Sequence, residues 1–290
     1  MTIDHEDIRR LLDADDVITE LWRILNKIWI FEDDIERYFR EHEQEVHDFE
    51  YKMNVIFYEI YDYLYERICE ERPSIELPAV ILDGMSIREG NLLVLDLERH
   101  GYEIVEYTYT LSALPSTTSY FREKLGMKFK EIMCHKPPSE VDFDTIIWVR
   151  CPDYILHHAS EILPPPKAYE ITRDFLLKML DQVDISGIIT ITSDHGYIIT
   201  NYVWPVPERD QRFLKGVFGS YRYAENAAIP PEKLTVLKAI PKHKSYLFID
   251  EVFSYVKGRY FWPVRGPRRA IAHGGISFME CLIPLIRVRV

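Results

Sequence analysis

From residue 78 onwards, short apolar runs alternate with segments of helical periodicity, and no other feature restricts the fold of this chain as strongly. Four runs have the length and the bounding turn residues of buried strands: 78–82, 102–111, 146–150 and 187–192. Three segments between them have the spacing of helices: 87–100, 119–125 and 169–180. The last residues, 285–290, predict a closing strand. This alternation predicts an α/β fold with a doubly wound, mostly parallel sheet that is covered on both faces.

Three other stretches of this region fit the sheet less directly. Residues 197–202 form a candidate strand beside the fourth run. The proline-rich residues 163–167 and the stretch 205–242 have the composition of long connections. We expect these connections to lie over the edge of the sheet.

The first 76 residues predict a helical, acidic arm in front of an α/β domain formed by residues 77–290. Apolar residues spaced by three and four run from Val46 to Leu64, and an earlier series runs from Val17 to Ile28. The acidic stretches 32–34 and 42–48 are expected on solvated faces, and Pro73 marks the end of the helical region. Two interpretations of the apolar faces stay open. One is a helical hairpin with its own core, and the other is a surface that binds a protein partner or a second copy.

Negative charge is concentrated in this arm. Residues 1–76 carry 22 acidic and 9 basic side chains, whereas residues 77–290 carry 25 acidic and 26 basic side chains. The net charge of −12 therefore belongs to the arm. The field of the remaining chain need not repel a phosphate-bearing substrate.

Composition and cysteine spacing indicate the class of protein. Of the 290 residues, 47% are hydrophobic, which is enough for a sizeable core. The N-terminus lacks the apolar region of a signal peptide, and no apolar run reaches the roughly 18 residues of a membrane helix. The four cysteines form no CxxC pair, which argues against a zinc ribbon or a secreted disulfide framework. We therefore expect a soluble, cytoplasmic protein in a reducing compartment, without contact to a membrane.

Side chains suited to metal binding follow the predicted strands. In open α/β sheets, ligands gather at the carboxyl ends of the strands. Singly these residues have ordinary explanations, because an Asp-Gly after a strand is usually a turn and a Thr at a helix start is usually an N-cap. Together they place three carboxylates and three imidazoles around a hydroxyl group. The residues are Asp83, Thr118, Asp153, His157, Asp194, His195 and His273.

This donor set predicts two divalent metal ions. Mixed nitrogen and oxygen ligands suit zinc, with manganese as the alternative. Two such ions about 4 Å apart can clamp the attacking and leaving oxygens of an in-line displacement. A threonine hydroxyl next to a cation loses its proton more readily. The helix behind Thr118 would direct backbone N–H groups towards a phosphate.

Four motifs in this order resemble a PglZ domain. They are ILDGMSIREG, ALPSTTSYFREKLG, TSDHGY and AHGGISFMECLIPLI. The PglZ family lies within the alkaline-phosphatase superfamily and is associated with bacteriophage-exclusion defence and with some response regulators. The resemblance covers about residues 78–290 and leaves the helical arm outside.

The resemblance implies a role for each of these residues. Thr118 matches the nucleophile, which the superfamily's phosphodiesterases place three residues after the proline of the motif. Thr117 stays an alternative if the turn is wound differently, and His158 could replace His157. Asp83, Asp194 and His195 would bind the second metal. Asp153 and His157 match an Asp-x3-His pair that binds the first metal in nucleotide pyrophosphatases/phosphodiesterases, and His273 would complete that site.

Basic residues near these motifs are candidates for substrate binding. Arg88 follows Asp83 and could reach a phosphate, although a structural ion pair is the favoured interpretation. Residues 257–269 carry five basic side chains with three aromatic ones among them, and Arg268 and Arg269 end this segment. Basic residues interleaved with aromatic ones can follow a nucleic-acid backbone and stack on bases. The alternative is a strand and turn with solvated arginines.

These features predict a phosphoester hydrolase. The leading hypothesis, which the resemblance implies, is a phosphodiesterase that acts on nucleotides or oligonucleotides. A phosphomonoesterase would use the same metals, and the sequence does not separate the two. A hypothesis from another class is a non-catalytic or conditionally active defence component, in which the metal site is structural and the acidic arm recruits a partner.

Overall fold

The structure is a computed structural model that describes residues 3–134, 143–158, 163–182, 187–263 and 270–290. Strands and helices are numbered in chain order within these ranges. The strands are β1 (Ala79–Leu82), β2 (Glu103–Leu111), β3 (Phe129–Ile132), β4 (Ile146–Val149), β5 (Ile188–Thr192), β6 (Ile198–Ile199), β7 (Trp204–Pro205), β8 (Tyr223–Glu225), β9 (Leu247–Ile249), β10 (Phe253–Val256), β11 (Tyr260–Phe261), β12 (Ile271–Ala272) and β13 (Leu282–Arg289). The helices are α1 (His5–Leu12), α2 (Val17–Ile28), α3 (Ile35–Ile56), α4 (Ile60–Glu70), α5 (Ile87–Arg99), α6 (Thr118–Leu125), α7 (Asp153–His158), α8 (Pro165–Leu180), α9 (Glu208–Phe218), α10 (Pro231–Lys238) and α11 (Phe278–Cys281).

Six strands form the central sheet in the order β2-β13-β5-β1-β4-β3. The strand β1 pairs in parallel with β4 and β5, and β3 pairs in parallel with β4. The strand β13 is antiparallel to both β5 and β2, so the other five strands run in one direction. The predicted α/β fold with a mostly parallel sheet is confirmed.

Both faces of this sheet are covered, because successive side chains of a strand point to opposite faces. Val80 and Leu82 of β1 belong to the large apolar core that also contains residues of α5 and α8. Ala79 and Ile81 belong to a second core with Phe121 of α6. The short, fully apolar β1 is therefore explained by burial on two sides.

The helices α1 to α4 do not form a core of their own. Their buried residues Leu21, Val46 and Leu64 belong to the same apolar cluster as Val80 of the sheet. In addition, Trp22 of α2 packs on Tyr107 of the edge strand β2, with 5.6 Å between the ring centroids. The N-terminal helices thus cover one edge of the sheet.

Two expectations for the N-terminal region were wrong in detail. The apolar series from Val46 to Leu64 is divided between α3 and α4, because the chain leaves the helical conformation at Phe57. Apolar spacing reports which residues are buried and does not report a change of helix axis. Glu43 lies in the stretch expected to be solvated, yet it is completely buried, because it pairs with two buried arginines at 0% exposure.

The stretch 205–242 is not a long connection over the sheet. It contains α9, β8 and α10, and β8 joins an antiparallel sheet in the order β8-β10-β9. These elements enclose a separate apolar core that includes Leu214, Phe218 and Leu247. The residues 163–167 likewise include the first turn of α8, which starts at Pro165, a favourable first helical residue.

Two strands differ from the sequence expectation for local reasons. The strand β3 is short, and its central residues Lys130 and Glu131 are exposed, so it lacks an apolar run. The closing strand begins before Pro284, at Leu282. Pairing with β5 starts only at Leu285, so Pro284 does not have to donate to that neighbour.

The candidate strand within residues 197–202 does form, but it pairs with β12 and not with the central sheet. Ile198 lies opposite Ala272, and the pairing is antiparallel. This pairing places residues 271–272 beside β6, which follows β5 in the chain. His273 follows directly.

Cys134 and Cys151 form a disulfide that the cysteine spacing did not predict. Cys134 follows β3 and Cys151 follows β4, and these neighbouring strands bring the two residues together. Cys69 and Cys281 are free. Within the described ranges, no helix is both long enough and apolar enough to cross a bilayer.

Candidate metal centre

The residues that follow the parallel strands meet at one edge of the central sheet. Asp83 follows β1, and Asp194 and His195 follow β5. Asp153 begins α7 after β4, and His273 follows β12. Because the carboxyl ends of parallel strands lie at the same edge, residues far apart in the sequence become neighbours.

One cluster consists of Asp83, Asp194 and His195. Ligand atoms of the three residues all lie within 4.8 Å of one another, and all three side chains are buried. His195 Nε2 lies 3.5 Å from Asp194 Oδ2 and 3.8 Å from Asp83 Oδ1. This is the set predicted for the second metal.

A second cluster lies directly beside the first and shares His195 with it. It consists of Asp153, His195 and His273, with His273 Nε2 at 3.6 Å from Asp153 Oδ1. The rings of His195 and His273 are stacked with 4.1 Å between centroids. His157 Nε2 lies 3.3 Å from the same Asp153 oxygen. The structure therefore also brings together the three residues predicted for the first metal.

The hydroxyl of Thr118 points into the first cluster. Its Oγ1 atom donates to Asp83 Oδ1 at 3.2 Å and lies 3.3 Å from His195 Nε2. The neighbouring Thr117 is the N-cap residue of α6, and its Oγ1 lies 3.2 Å from Ser119 Oγ. Of the two threonines left open by the sequence, Thr118 has the hydroxyl among the ligand atoms.

Backbone contacts fix the orientation of the two histidine rings. His195 Nδ1 lies 3.0 Å from the carbonyl of Gly196, and His273 Nδ1 lies 3.2 Å from the carbonyl of Ser116. A carbonyl only accepts, so each Nδ1 carries the proton and donates it. When neutral, each ring presents an unprotonated Nε2, which is the form that binds a metal ion. Burial opposes protonation of His195, but its pKa is raised above the ordinary value by the neighbouring carboxylates of Asp194, Asp153 and Asp83.

Two further contacts hold the carboxylates in place. The backbone N–H of Gly84 donates to Asp194 Oδ1 at 3.0 Å, so Oδ2 is left facing His195. Gly84 has a φ of +76°, and a Cβ atom there would lie 2.9 Å from the Cβ of Asp153. A glycine is therefore required at this position, both by its conformation and by the close approach of Asp153.

Charge repulsion is strong at this centre. Burial, together with repulsion from Asp194 and Asp153, raises the pKa of Asp83 to about 8. Burial and the adjacent His195 lower the pKa of His273 to about 3, so its ring is neutral. Burial also opposes ionisation of Asp153, but His157 and His273 hold its pKa below the ordinary value. Cations placed between these carboxylates would relieve the repulsion.

The donor set fits metal ions. Asp153 Oδ1 and Asp194 Oδ2 are buried and accept no hydrogen bond within the described part of the chain. The histidine nitrogens beside them, His157 Nε2 at 3.3 Å and His195 Nε2 at 3.5 Å, do not have hydrogen-bond geometry. Buried carboxylate oxygens are costly without a partner. One such oxygen lies in each cluster, so each cluster has a ligand oxygen ready for a cation.

Two residues of the site, Arg150 and Trp148, are not marked by any motif in the sequence. Arg150 Nε lies 3.2 Å from Asp83 Oδ2, and Trp148 Nε1 donates to the same oxygen at 3.2 Å. Both lie in residues 146–150, for which the sequence predicted a strand and no site residue. A basic residue at the carboxyl end of a parallel strand is the signal that could have identified Arg150.

Arg88 is not positioned to bind a substrate. Its side chain is completely buried and forms an ion pair with Glu43 at 3.1 Å. It also donates to the carbonyl of Tyr197 at 3.0 Å. Because the guanidinium has no exposed surface, this position favours the structural ion pair. Arg268 and Arg269 lie outside the described residues, as does the side chain of His158.

Comparisons with known proteins give only a distant likeness. No protein-family model and no curated protein matches the chain. The chain is similar to a solved structure of phosphonoacetate hydrolase from Sinorhizobium meliloti 1021 with phosphonoacetate, at a TM-score of 0.38 and 11% identity, over 75% of this chain and 93% of that chain. For the same enzyme with phosphonoformate, the TM-score is 0.27 with 16% identity, over 49% of this chain and 45% of that chain. These scores assign neither a family nor an activity.

Proposed function

We propose that this chain is a metal-dependent phosphoester hydrolase of the alkaline-phosphatase superfamily, with a PglZ-like site and Thr118 as nucleophile. One observation carries the proposal: the Thr118 hydroxyl lies within 3.3 Å of ligand atoms of both Asp83 and His195. His195 also belongs to the adjacent cluster. A hydroxyl in this position is next to one candidate cation site and close to the other.

Two groups of residues would hold two divalent cations. Asp83, Asp194 and His195 form one group, and the other consists of Asp153, His157 and His273. Zinc, or manganese in its place, suits the nitrogen and oxygen donors. When bound, such cations neutralise phosphate charge and lower the pKa of a neighbouring hydroxyl.

The chain's own groups orient the attack. Thr118 donates to Asp83 Oδ1, which fixes the direction of its hydroxyl. The proton of this hydroxyl passes through solvent to the leaving oxygen. The oxygen of Thr118 then bonds to phosphorus as the bond to the leaving oxygen breaks. Water subsequently attacks the same phosphorus, and the bond to Thr118 breaks. This step releases a phosphomonoester when the substrate is a diester, and one proton of the water restores the hydroxyl of Thr118. The N-terminus of α6, where Thr118 is the first helical residue, favours the negative charge of the phosphate.

The substrate class follows from the resemblance to PglZ domains and to phosphodiesterases. We propose a diester of a nucleotide or an oligonucleotide, and a role in phage defence or signalling. The nearly balanced charge of residues 77–290 is compatible with an anionic substrate.

Hydrolysis of model esters tests this proposal. The full chain is loaded with zinc or manganese and assayed with bis-p-nitrophenyl phosphate and with p-nitrophenyl phosphate. We expect faster turnover of the diester, and we expect Thr118→Ala to lower kcat at least about a thousandfold, as for removal of other nucleophiles. The metal content of this variant should stay that of the original protein.

Thr117→Ala is the matched control, because its hydroxyl contacts Ser119 and none of the ligand atoms. It should retain most of the activity. Faster turnover of the monoester would change the substrate class to phosphomonoesters. Absence of turnover of both esters with both metals, or an equal loss in the two variants, would refute Thr118 as nucleophile.

A further inference from the structure

A cavity of about 550 Å³ lies between the N-terminal helices and the small antiparallel sheet. Tyr58, Tyr61 and Tyr65 line it from the side of α4, and Phe248 of β9 and Lys257 line it from the other side. None of the residues of the candidate metal centre contributes to its wall. Its volume lies within the range typical of small-molecule sites.

Lys257 is the unusual residue of this cavity. It is only 3% exposed, and its ammonium group donates to the carbonyl of Lys242 at 3.2 Å. The ammonium also lies 5.5 Å from the ring centroid of Tyr61. Burial lowers its pKa to about 8. An ammonium group has three donors, and a buried cation is costly unless an anion compensates it.

The carboxylates of the cavity are engaged elsewhere. Asp62 pairs with the exposed Lys242 at 2.7 Å. Asp250 Oδ2 accepts from Tyr65 at 3.0 Å and from Tyr255 at 2.8 Å. Glu251 is exposed. Among the described residues, no carboxylate forms an ion pair with Lys257, so its charge is available to a ligand.

The wall beside Lys257 is aromatic. Tyr65 and Phe248 pack together with 4.8 Å between ring centroids, and both rings are only partly buried. Tyr58 is also partly exposed. Flat aromatic rings next to a buried cation suit a ligand that has a flat apolar body and one anionic end.

We propose that this cavity binds a small aromatic oxyanion, with the anionic group at Lys257 and the flat body against Tyr58, Tyr65 and Phe248. This site is independent of the proposed hydrolase reaction. The backbone of Lys257 also pairs with that of Ile276, three residues after His273, so the segment that carries Lys257 lies next to the segment that follows His273.

Binding of 2-naphthoate tests the proposal, with 2-naphthylmethanol as the neutral probe of similar shape. Isothermal titration of the full chain, dialysed against a chelator so that carboxylate binding by a cation is avoided, measures both affinities. We expect the original protein to bind naphthoate about tenfold more tightly than the alcohol, which corresponds to one hydrogen bond to a charged group.

Lys257→Met should remove this preference and leave the affinity for the alcohol within about twofold, because the aromatic wall is unchanged. Lys242→Met is the matched control, since this lysine lines the same cavity but pairs with Asp62, and it should keep the preference. Equal affinities of the original protein for the two probes would overturn the proposal, whether or not the variants fold. A preference that survives in Lys257→Met, or that is lost in Lys242→Met, would also overturn it.

Discussion

Single backbone contacts orient the rings of His195 and His273 in the candidate metal centre. Each ring is held by one backbone carbonyl, and this contact decides which nitrogen is left for a ligand. The sequence can indicate that a histidine follows a strand. It does not indicate which nitrogen faces the site, because that depends on carbonyl groups of other segments, such as Ser116 for His273.

Gly84 provides a test of residue geometry. We expect Gly84→Ala to lower metal affinity about tenfold or more, since the added Cβ would displace Asp153 from its position. Its positive φ should also cost about 1–2 kcal/mol in the free energy of unfolding. Titration with zinc and denaturant unfolding measure the two effects.

Gly101→Ala is the control for this substitution. Its φ is +90°, and a Cβ atom there would have no neighbour within 4 Å. It should lose a similar amount of stability and keep its metal affinity. Equal metal affinities of the two variants would show that Gly84 does not position Asp153.

Lys257 makes stability depend on pH. Its pKa falls from 10.5 in the unfolded chain to about 8 in the folded protein. The unfolded state therefore binds more protons between these values, and the free energy of unfolding rises with pH in this window. The cost is fully present below pH 8 and corresponds to roughly 3 kcal/mol.

Lys257→Met should accordingly stabilise the ligand-free protein at pH 7, with a gain that shrinks towards pH 10. Urea unfolding of both proteins at the two pH values measures this. The nearby Asp62 favours the charged lysine and reduces the gain. A gain that is the same at both pH values would contradict the assigned titration.

At the scale of elements, α3 is joined to the α/β region by buried charges. Glu43 pairs with Arg88 and with Arg259, and Glu50 accepts from Arg259 at 3.0 Å. Glu50 also accepts from the backbone N–H of Phe278 at the start of α11. These contacts connect α3 with α5, which follows Asp83, and with the segments before and after His273.

We expect Glu43→Gln to lower the free energy of unfolding by about 3–5 kcal/mol, because two buried guanidinium groups lose a common partner. The exposed Glu41 of the same helix is the control, and Glu41→Gln should change stability by less than about 1 kcal/mol. Urea unfolding measures both. Similar small effects of the two substitutions would show that the buried pairs do not hold α3 in place.

The sequence predicted those elements whose pattern of apolar residues indicates burial. The apolar runs around β1, β4 and β5 and the periodic segments of α5 and α8 are examples. The edge strand β3 has two exposed charged residues and therefore lacks an apolar run that would have predicted it. The small sheet of β8, β9 and β10 was also missed, because β8 and β9 are short and mostly not fully buried, unlike the equally short β1 and β4.

The order of the strands in the central sheet brings the residues of the candidate metal centre together. The rule that ligands gather at the carboxyl ends of parallel strands was enough to select Asp83, Asp153 and Asp194. The chain's return through β12, which puts His273 beside His195, could not be derived from spacing. Nor could the role of Glu43, since a buried charge is recognised only by its partners.

Two cations should bind at this centre, and the metal content of the protein shows whether they do. The full chain is reconstituted with zinc, freed of excess metal and analysed by mass spectrometry against protein concentration. The exposed Asp174→Ala serves as control for the ligand variants Asp83→Ala and Asp153→Ala. We predict about two equivalents for the original protein and the control, and about one for each ligand variant. A folded original protein that retains no zinc, or the same zinc content in all four proteins, would rule out two cations at these residues.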